Sequence, residues 1–222
     1  MIRKLTNKVT FRIIQFIYHH MRKHEHTIAR NSLPKFGNTQ SNLTFPFPRK
    51  IQNPKNIYIG DNVIFGEGSI IRATPQYPSD EWIRVSPYEV KKQEFSPTLR
   101  IGNRVTATGS VQIIAYKEII IEDDVIIASN VFISDALHGY EDPSIPFKYQ
   151  PMSRIAPIII KKGSWIGQNV VILPGVTIGE NSIIGANCVV TKDIPDKCIA
   201  VGSPAKIIKQ WNEELKEWAT VT

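Results

Sequence analysis

Aliphatic residues return every six positions along much of this chain. The longest uninterrupted run consists of Ile160, Ile166, Ile172, Ile178, Ile184 and Val190. An α-helix repeats about every 3.6 residues and a half-buried strand every two, so neither period fits this run. A period of six instead indicates short strands joined by corners, with one inward-facing side chain on each strand.

The same period occurs in three shorter stretches. Its members are Ile59, Phe65 and Ile71, then Ile101, Ala107 and Ile113, and, after a slip of two residues, Ile121, Ile127 and Ile133. Small or medium-sized residues follow four positions after each member of the longest run, and Gly, Asn and Asp, which tolerate tight corners, lie between them. Three such hexads would close one triangular coil of about 18 residues, and stacked coils would form a parallel β-helix.

Two segments interrupt the period, and both ends of the chain depart from it. The interruptions at 72–98 and 138–157 are predicted to be inserted loops. Residues 1–30 have the spacing of an amphipathic helix, and a proline-containing connector follows. Residues 205–222 return to helical spacing, which predicts a C-terminal helix over the open end of the last coil. We therefore predict a mainly β protein with a helical arm and connector (1–50), a β-helix (51–204) and a C-terminal helix (205–222).

The net charge of +7 is concentrated in the arm. Residues 1–50 hold ten Lys and Arg and one Glu, whereas the remainder holds 17 basic and 19 acidic residues. Nucleic-acid binding is therefore not expected, because it would need a basic face on the domain itself. The helix over 1–30 is expected to pack on its own domain or on a neighbouring subunit, or else to make a peripheral contact with an anionic membrane surface.

Neither targeting signals nor the cysteines indicate a particular function. No apolar run approaches the roughly 20 residues that cross a bilayer, and residues 11–20 lack the features of a signal peptide. Cys188 and Cys198 form neither a disulfide framework nor a zinc cluster. A cytoplasmic location is expected.

His138 is the only histidine of the sequence outside the basic arm, and it lies where the period of six stops. An imidazole titrates near neutral pH and suits a base that takes a proton from an attacking hydroxyl. A solvated loop histidine is the alternative. A base of this kind usually needs a partner on its second ring nitrogen, and Asp135, Glu141, Asp142 or a backbone carbonyl could provide it.

The stretch GSWIGQNVVILPGVTIGENSIIGANCVVTKDIPDKCIAVGSPAKIIK (163–209) closely resembles the hexapeptide-repeat acyltransferases. The nearest branch is that of the maltose, galactoside and cell-surface polysaccharide O-acetyltransferases. The resemblance is specific over about 101–209 and weaker over 51–71. It implies a left-handed β-helix, acetyl-CoA as acyl donor, and a homotrimer with active sites between subunits. It also implies that His138, within SNVFISDALHGYEDP (129–143), is the catalytic base.

The resemblance further implies a set of binding residues. Trp165, in GSWIG, would line the acceptor and pantetheine region. Lys192 in VVTKDIP, and Lys206 and Lys209 in GSPAKIIK, would reach the phosphates of coenzyme A, with Ser203 and Pro204 forming the turn that places the last two. Ser110 stands where a related sugar enzyme has an asparagine that contacts the acceptor. Aromatic residues of the inserted loops could stack on sugar rings or pack the loops, and these are Tyr77, Trp82, Tyr88, Tyr140 and Tyr149.

These features predict an acetyl-CoA-dependent O-acetyltransferase acting on a saccharide or polysaccharide, such as a capsule or lipopolysaccharide-type glycan. The alternative is an N-acetyltransferase acting on an amino-sugar nucleotide. A γ-class carbonic anhydrase would need three histidines at a metal, and only His138 lies in the repeat region, so no metal is expected. An ice-binding β-helix would need a regular threonine ladder, which Thr177 and Thr191 do not supply.

Overall fold

Three parallel sheets run the length of the computed structural model. The structure describes residues 2–221. Within the first helix it describes the side chains from Thr10 onward, except those of Arg22, Lys23 and His26. Sheet I contains β2 (Ile57–Ile59), β7 (Thr98–Ile101), β10 (Glu118–Ile121), β15 (Ile158–Ile160) and β18 (Thr177–Ile178). Sheet II contains β3 (Ile64–Phe65), β8 (Thr106–Ala107), β11 (Ile126–Ile127), β16 (Trp165–Ile166), β19 (Ile183–Ile184) and β21 (Cys198–Val201). Sheet III contains β1 (Lys50–Gln52), β4 (Ile70–Ala73), β9 (Gln112–Ala115), β12 (Phe132–Ser134), β17 (Val171–Ile172) and β20 (Val189–Val190).

The chain visits the sheets in the order I, II, III and then climbs to the next coil. In the C-terminal coils β15, β16 and β17 each pair with the strand 18 residues on, as Ile160 does with Ile178 and Ile166 with Ile184, whereas β19 pairs with β21, 16 residues on. Earlier, Ile101 pairs with Ile121, which makes that coil two residues longer. The predicted mainly β, parallel architecture and the slip of two residues are confirmed.

The core is a single column of aliphatic side chains. Every residue of the predicted period-six frame is buried, from Ile59 to Val190. Each buried aliphatic side chain stabilises the fold by about 1.5–3 kcal/mol before entropy is counted. Corners leave little room, and there the hydroxyls of Ser164 and Ser182 donate to the carbonyls of Gly179 and Pro195. Left-handed backbone at the corners is carried mainly by Asn and Asp, as at Asn62, Asp124, Asn169, Asn181 and Asn187.

Helix α1 (Ile2–Asn31) forms the arm, and the connector after it closes the first coil. Phe36, Leu43 and Phe45 of the connector are buried in the same column as the coils. Asn38 accepts a hydrogen bond from the backbone N–H of Ile59 and donates one to the carbonyl of the same residue. The connector is therefore part of the packed body, although its sequence shows no period of six.

The predicted C-terminal helix is wrong. Residues 205–221 contain a β-hairpin formed by β22 (Lys206–Asn212) and β23 (Glu217–Thr220), and Thr222 lies outside the described residues. β22 pairs antiparallel with β21, the last strand of sheet II, so the hairpin satisfies an edge that would otherwise be open. Trp211 and Trp218 face each other across the hairpin with ring centroids 5.5 Å apart. Pairing with an available edge has overridden the helical spacing.

Two excursions leave the column where the period stops. The first contains β5 (Gln76–Tyr77), α2 (Asp80–Val85) and β6 (Gln93–Glu94), and the second contains β13 (Leu137–His138), β14 (Met152–Ser153) and a 3-10 turn at Phe147–Tyr149. A further 3-10 turn spans Pro54–Asn56. Within the described residues, neither α1 nor α2 combines the length and apolar character that crossing a bilayer requires.

Candidate active site

His138 is held on a short two-stranded hairpin at the base of the second excursion. It lies on β13 and is paired with Met152 of β14, and its side chain is exposed. The next residue, Gly139, donates its N–H to the carbonyl of Pro151. A Cβ at Gly139 would stand 2.5 Å from that oxygen, so the close approach of the two strands requires glycine. The hairpin thus fixes the backbone of His138 and leaves its imidazole accessible.

Tyr77 of the first excursion provides the partner of the imidazole. Its hydroxyl lies 3.0 Å from Nδ1 of His138 and 2.8 Å from the carbonyl oxygen of Lys148. A carbonyl can only accept, so the single hydroxyl proton of Tyr77 is donated to Lys148. The Tyr77 oxygen then accepts from Nδ1–H, which leaves the lone pair of the imidazole on Nε2. The arrangement therefore selects the tautomer in which Nε2 can act as a base.

The position of Tyr77 depends on contacts between the two excursions. Its ring is buried with Ala136 and Met152. The side chain of Gln93 accepts from the N–H of Met152 and donates to its carbonyl, at 2.6 and 3.1 Å. Burial, followed by the nearby Tyr116, raises the pKa of Tyr77 above its usual range, so its hydroxyl keeps its proton at neutral pH.

None of the three predicted acidic partners contacts His138 among the described residues. Glu141 accepts from the N–H of Tyr140, and Asp142 accepts from the N–H and hydroxyl of Ser144. Asp135 is fully buried and faces other groups. Of the candidates for the second ring nitrogen, neither these three acids nor a backbone carbonyl lies at Nδ1 among the described residues, and the hydroxyl of Tyr77 occupies that position.

Asp135 instead holds the corner where the period slips by two residues. Its carboxylate accepts from the backbone N–H groups of Tyr116, Lys117 and Glu118 at 2.7, 2.8 and 2.7 Å. Burial raises the pKa of Asp135, and the three N–H donors oppose that shift. Asp135 thus ties the two additional residues of the slip to the coil that carries the hairpin of His138.

An aromatic cluster surrounds the Tyr77–His138 contact. Trp82 lies edge-on to Tyr77 at 6.0 Å, and Tyr88 lies 5.2 Å from Tyr149. The ammonium of Lys148 stands over the rings of both Trp82 and Tyr149. Of the predicted acceptor residues, the structure therefore brings Trp82 against Tyr77, the residue that contacts the imidazole.

The other two predicted acceptor residues lie apart from this cluster. Tyr140 is exposed, and the described residues give its ring no aromatic partner. Ser110 occupies a corner between β8 and β9 in left-handed backbone, with φ of 51°. Its N–H donates to the carbonyl of Glu67, and no hydrogen bond joins it to the excursions among the described residues.

The predicted cofactor residues lie on other parts of the column. Trp165, on β16 of sheet II, is half exposed between Ile126 and Ile183 of the neighbouring strands. The segment that carries His138 leaves the column after β12 of sheet III. Among the described residues, no hydrogen bond or ring contact joins His138 to Trp165.

A β-bulge places two of the predicted lysines on one side of the terminal hairpin. Lys206 pairs with Val201 and Lys209 with Ile199, because the register shifts between Ile199 and Ala200. Without the shift, an odd spacing would have put the two lysines on opposite faces. Lys192, which follows β20, is also exposed, and in the described part of the chain none of the three forms an ion pair. Ser203 and Pro204 form the turn before β22.

The chemistry of the three lysines and of Trp165 suits a phosphorylated thioester cofactor. Exposed ammonium groups without a carboxylate partner can bind phosphates, and an exposed indole offers an apolar face to a pantetheine chain. No three His, Cys, Asp or Glu side chains of the described residues are close enough together to hold a metal ion.

Comparison with known proteins agrees with this geometry. The family model of the bacterial transferase hexapeptide (six repeats) matches residues 157–192. The chain is 32% identical over 179 residues to the putative lipopolysaccharide biosynthesis O-acetyl transferase WbbJ of Escherichia coli, which covers 78% of this chain and 81% of that protein. It is 36% identical over 124 residues to the galactoside O-acetyltransferase of Escherichia coli, covering 56% of this chain and 60% of that enzyme.

Among solved structures, the chain is similar to a variant of AntD, an N-acyltransferase from Bacillus cereus, in complex with dTDP-4-amino-4,6-dideoxyglucose and coenzyme A. The TM-score is 0.61 at 23% identity, over 81% of this chain and 87% of that chain. At this level of identity the likeness establishes the fold.

Proposed function

Because the chain belongs to the hexapeptide-repeat family of acetyl-CoA-dependent acetyltransferases, we propose that it transfers an acetyl group to a hydroxyl of a saccharide. The putative lipopolysaccharide O-acetyl transferase and the galactoside O-acetyltransferase support a saccharide acceptor and an ester product. A glycan of the lipopolysaccharide or capsule type, or its precursor, is the proposed acceptor class.

The Tyr77–His138 contact is the observation that carries this proposal. A hydroxyl must lose its proton as its oxygen attacks an acyl carbon, and an oriented imidazole meets that need. With Nδ1–H held by Tyr77, Nε2 of His138 accepts the proton of the acceptor hydroxyl. Trp82, which is partly exposed and packs edge-on against Tyr77, can stack on a sugar ring.

Acetyl-CoA, when bound, supplies an activated acetyl thioester. We propose that Lys192, Lys206 and Lys209 bind its phosphates and that the indole of Trp165 contacts its pantetheine chain. Their exposure and the shared face of the two hairpin lysines support this assignment.

Replacing the base tests the reaction. In His138→Ala, acetylation of a saccharide hydroxyl should fall by about 10²–10⁴-fold, as measured by thiol release from acetyl-CoA. Tyr140→Phe, an exposed neighbour, is the matched control and should retain activity. Undiminished turnover in His138→Ala would exclude the proposed base.

The nature of the acceptor separates the two acetylation reactions. A panel of sugar hydroxyls and amino-sugar nucleotides should show turnover with the hydroxyl compounds. A free amine is a better nucleophile and needs less help from a base. Turnover confined to amino sugars, with little loss in His138→Ala, would therefore identify an N-acetyltransferase instead.

We further propose a homotrimer of left-handed β-helices with active sites between subunits. Ile64, Ile126 and Trp165 are each about half exposed along sheet II, and such an apolar strip is typical of a covered surface. His138 and Trp165 belong to different faces of one chain, which supports a site shared by two chains.

Mixed oligomers test the shared site. His138→Ala and Trp165→Ala subunits, each inactive alone, should together recover about a quarter of wild-type turnover, because each interface draws one residue from either side. No recovery, or a monomeric mass by light scattering, would contradict the shared site while leaving the role of His138 open to the previous test.

A further inference from the structure

Helix α1 carries a large apolar surface that the body of the protein leaves uncovered. Between residues 11 and 21, every large apolar side chain is exposed, with Phe16 at 72% and Phe11 at 59%. In the described part of the helix only Ala29, near its C-terminal end, is buried. The expectation that the helix packs on its own domain is therefore wrong for these residues.

The contact between helix and body is loose even where the two approach each other. A cleft of about 380 Å³ separates them, with walls formed by Tyr18, Met21, Ile28, Phe47 and Pro48. Close-packed interiors leave far smaller gaps. The inner side of the helix thus adds to its exposed apolar surface.

The arrangement of side chains around the helix is that of an interfacial helix. At about 100° per residue, Arg12, Gln15 and His19 fall within one narrow arc. The opposite arc is about 220° wide and contains the exposed apolar residues together with Thr10 and His20; the apolar residues are Phe11, Ile13, Ile14, Phe16, Ile17, Tyr18 and Met21. A coiled-coil seam is much narrower than this, whereas a helix lying in a lipid surface is apolar over about half its circumference or more.

Charge distinguishes a lipid surface from a second copy of the chain. Residues 2–31 hold seven Lys and Arg and one Glu, whereas residues 32–222 hold 20 basic and 19 acidic residues. Copies of this helix placed side by side would repel one another, since a paired seam needs opposite charges at its flanks. An anionic surface would instead attract the helix while the nearly neutral body adds little.

We propose that α1 lies in the surface of an anionic phospholipid membrane and attaches the enzyme to it. The apolar arc centred near Ile14, Ile17 and Met21 enters the boundary between headgroups and acyl chains, and the arc of Arg12, Gln15 and His19 faces the lipid headgroups. Membrane attachment of α1 is independent of the acetyl transfer at His138.

Vesicle co-sedimentation of the full chain tests the attachment. The protein should bind vesicles of equal parts phosphatidylcholine and phosphatidylglycerol, bind vesicles of phosphatidylcholine alone far more weakly, and lose binding as salt is raised. Phe16→Asp should lower partitioning at least about tenfold, and Arg12→Gln about fivefold.

Two matched variants control for charge and apolarity away from the helix. Lys55→Gln removes one exposed positive charge beside the first coil, and Leu215→Asp alters an exposed apolar residue in the turn of the terminal hairpin. Both should bind vesicles like the wild type, and all four variants should melt at the wild-type temperature.

Three results would overturn the proposal. The first is a wild type that binds neither vesicle, and the second is a loss of binding in the two controls as large as that in the helix variants. A fall in solution mass for Phe16→Asp without a change in vesicle binding would show that a second copy covers the helix.

Discussion

The coils over residues 158–190 and the two excursions from the column differ in what fixes their structure. In the coils, every sixth side chain is buried, and β15, β16 and β17 each pair with the strand 18 residues on. In the excursions, a few specific contacts fix the structure, such as those of Gln93 with the backbone of Met152 and of Tyr77 with His138. Repetition provides a rigid support, and the irregular segments present the imidazole on it.

The coils should be destroyed by a single charge in the column. Ile172 is fully buried, so Ile172→Asp would place an unpaired carboxylate there, and we expect the domain to be unfolded at room temperature. Circular dichroism and thermal melting measure this.

Gln168→Lys is the matched control, because Gln168 is exposed at a corner of the same coil. Its melting temperature should stay within a few degrees of the wild type. Equal melting of the two variants would contradict the frame in which every sixth residue faces inward.

The fold could be predicted where repetition constrains the sequence. Six aliphatic residues in register from Ile160 to Val190 leave few alternatives to stacked coils. The terminal segment lacked that constraint, since Trp211 and Trp218 suit one face of a helix as well as a hairpin. What decided between them was the free edge of β21, a neighbour that is set by the coil below and not by local spacing.

Asp135 connects the two regions, and its loss should weaken the coil. Asp135→Ala leaves the backbone N–H groups of Tyr116, Lys117 and Glu118 without their acceptor. We expect the free energy of unfolding to fall by about 3 kcal/mol, as measured by urea denaturation.

Asp142→Ala is the matched control for that change, because Asp142 is exposed and, among the described residues, its carboxylate accepts hydrogen bonds only from Ser144. It should alter stability by less than about 0.5 kcal/mol. A similar small effect for Asp135→Ala would mean that water readily replaces the carboxylate.

The site was predictable only in part. His138 could be found because the period breaks there and no other histidine lies in the repeats. Tyr77 is 61 residues away in sequence and lies in a segment without a period, so spacing could not link the two. Asp135 was a candidate partner only because it is close in sequence to His138, whereas the three N–H groups that it binds come from the preceding coil.

The hydroxyl of Tyr77 should matter for turnover more than for binding. Tyr77→Phe keeps the ring beside the imidazole, at 5.2 Å between centroids, but removes the acceptor for Nδ1–H. We expect kcat to fall roughly 3- to 10-fold with KM for acetyl-CoA unchanged, because the proposed cofactor residues lie elsewhere. Tyr140→Phe is the control, and a change in KM alone would show that Tyr77 does not orient the base.

The smallest expected effect concerns stability at alkaline pH. Burial, and then Tyr116, raise the pKa of Tyr77, whereas an unfolded chain ionises its tyrosines near pH 10. The stability that Tyr77 contributes is therefore complete below about pH 10 and is lost as the pH rises through the folded-state pKa. Urea midpoints measured across this range should fall for the wild type and fall less steeply for Tyr77→Phe. Part of the remaining slope is due to Tyr116, because burial raises the pKa of that residue as well. An unchanged slope in Tyr77→Phe would mean that the hydroxyl is solvated, and a solvated hydroxyl could not hold His138 in the tautomer that the excursions now impose on it.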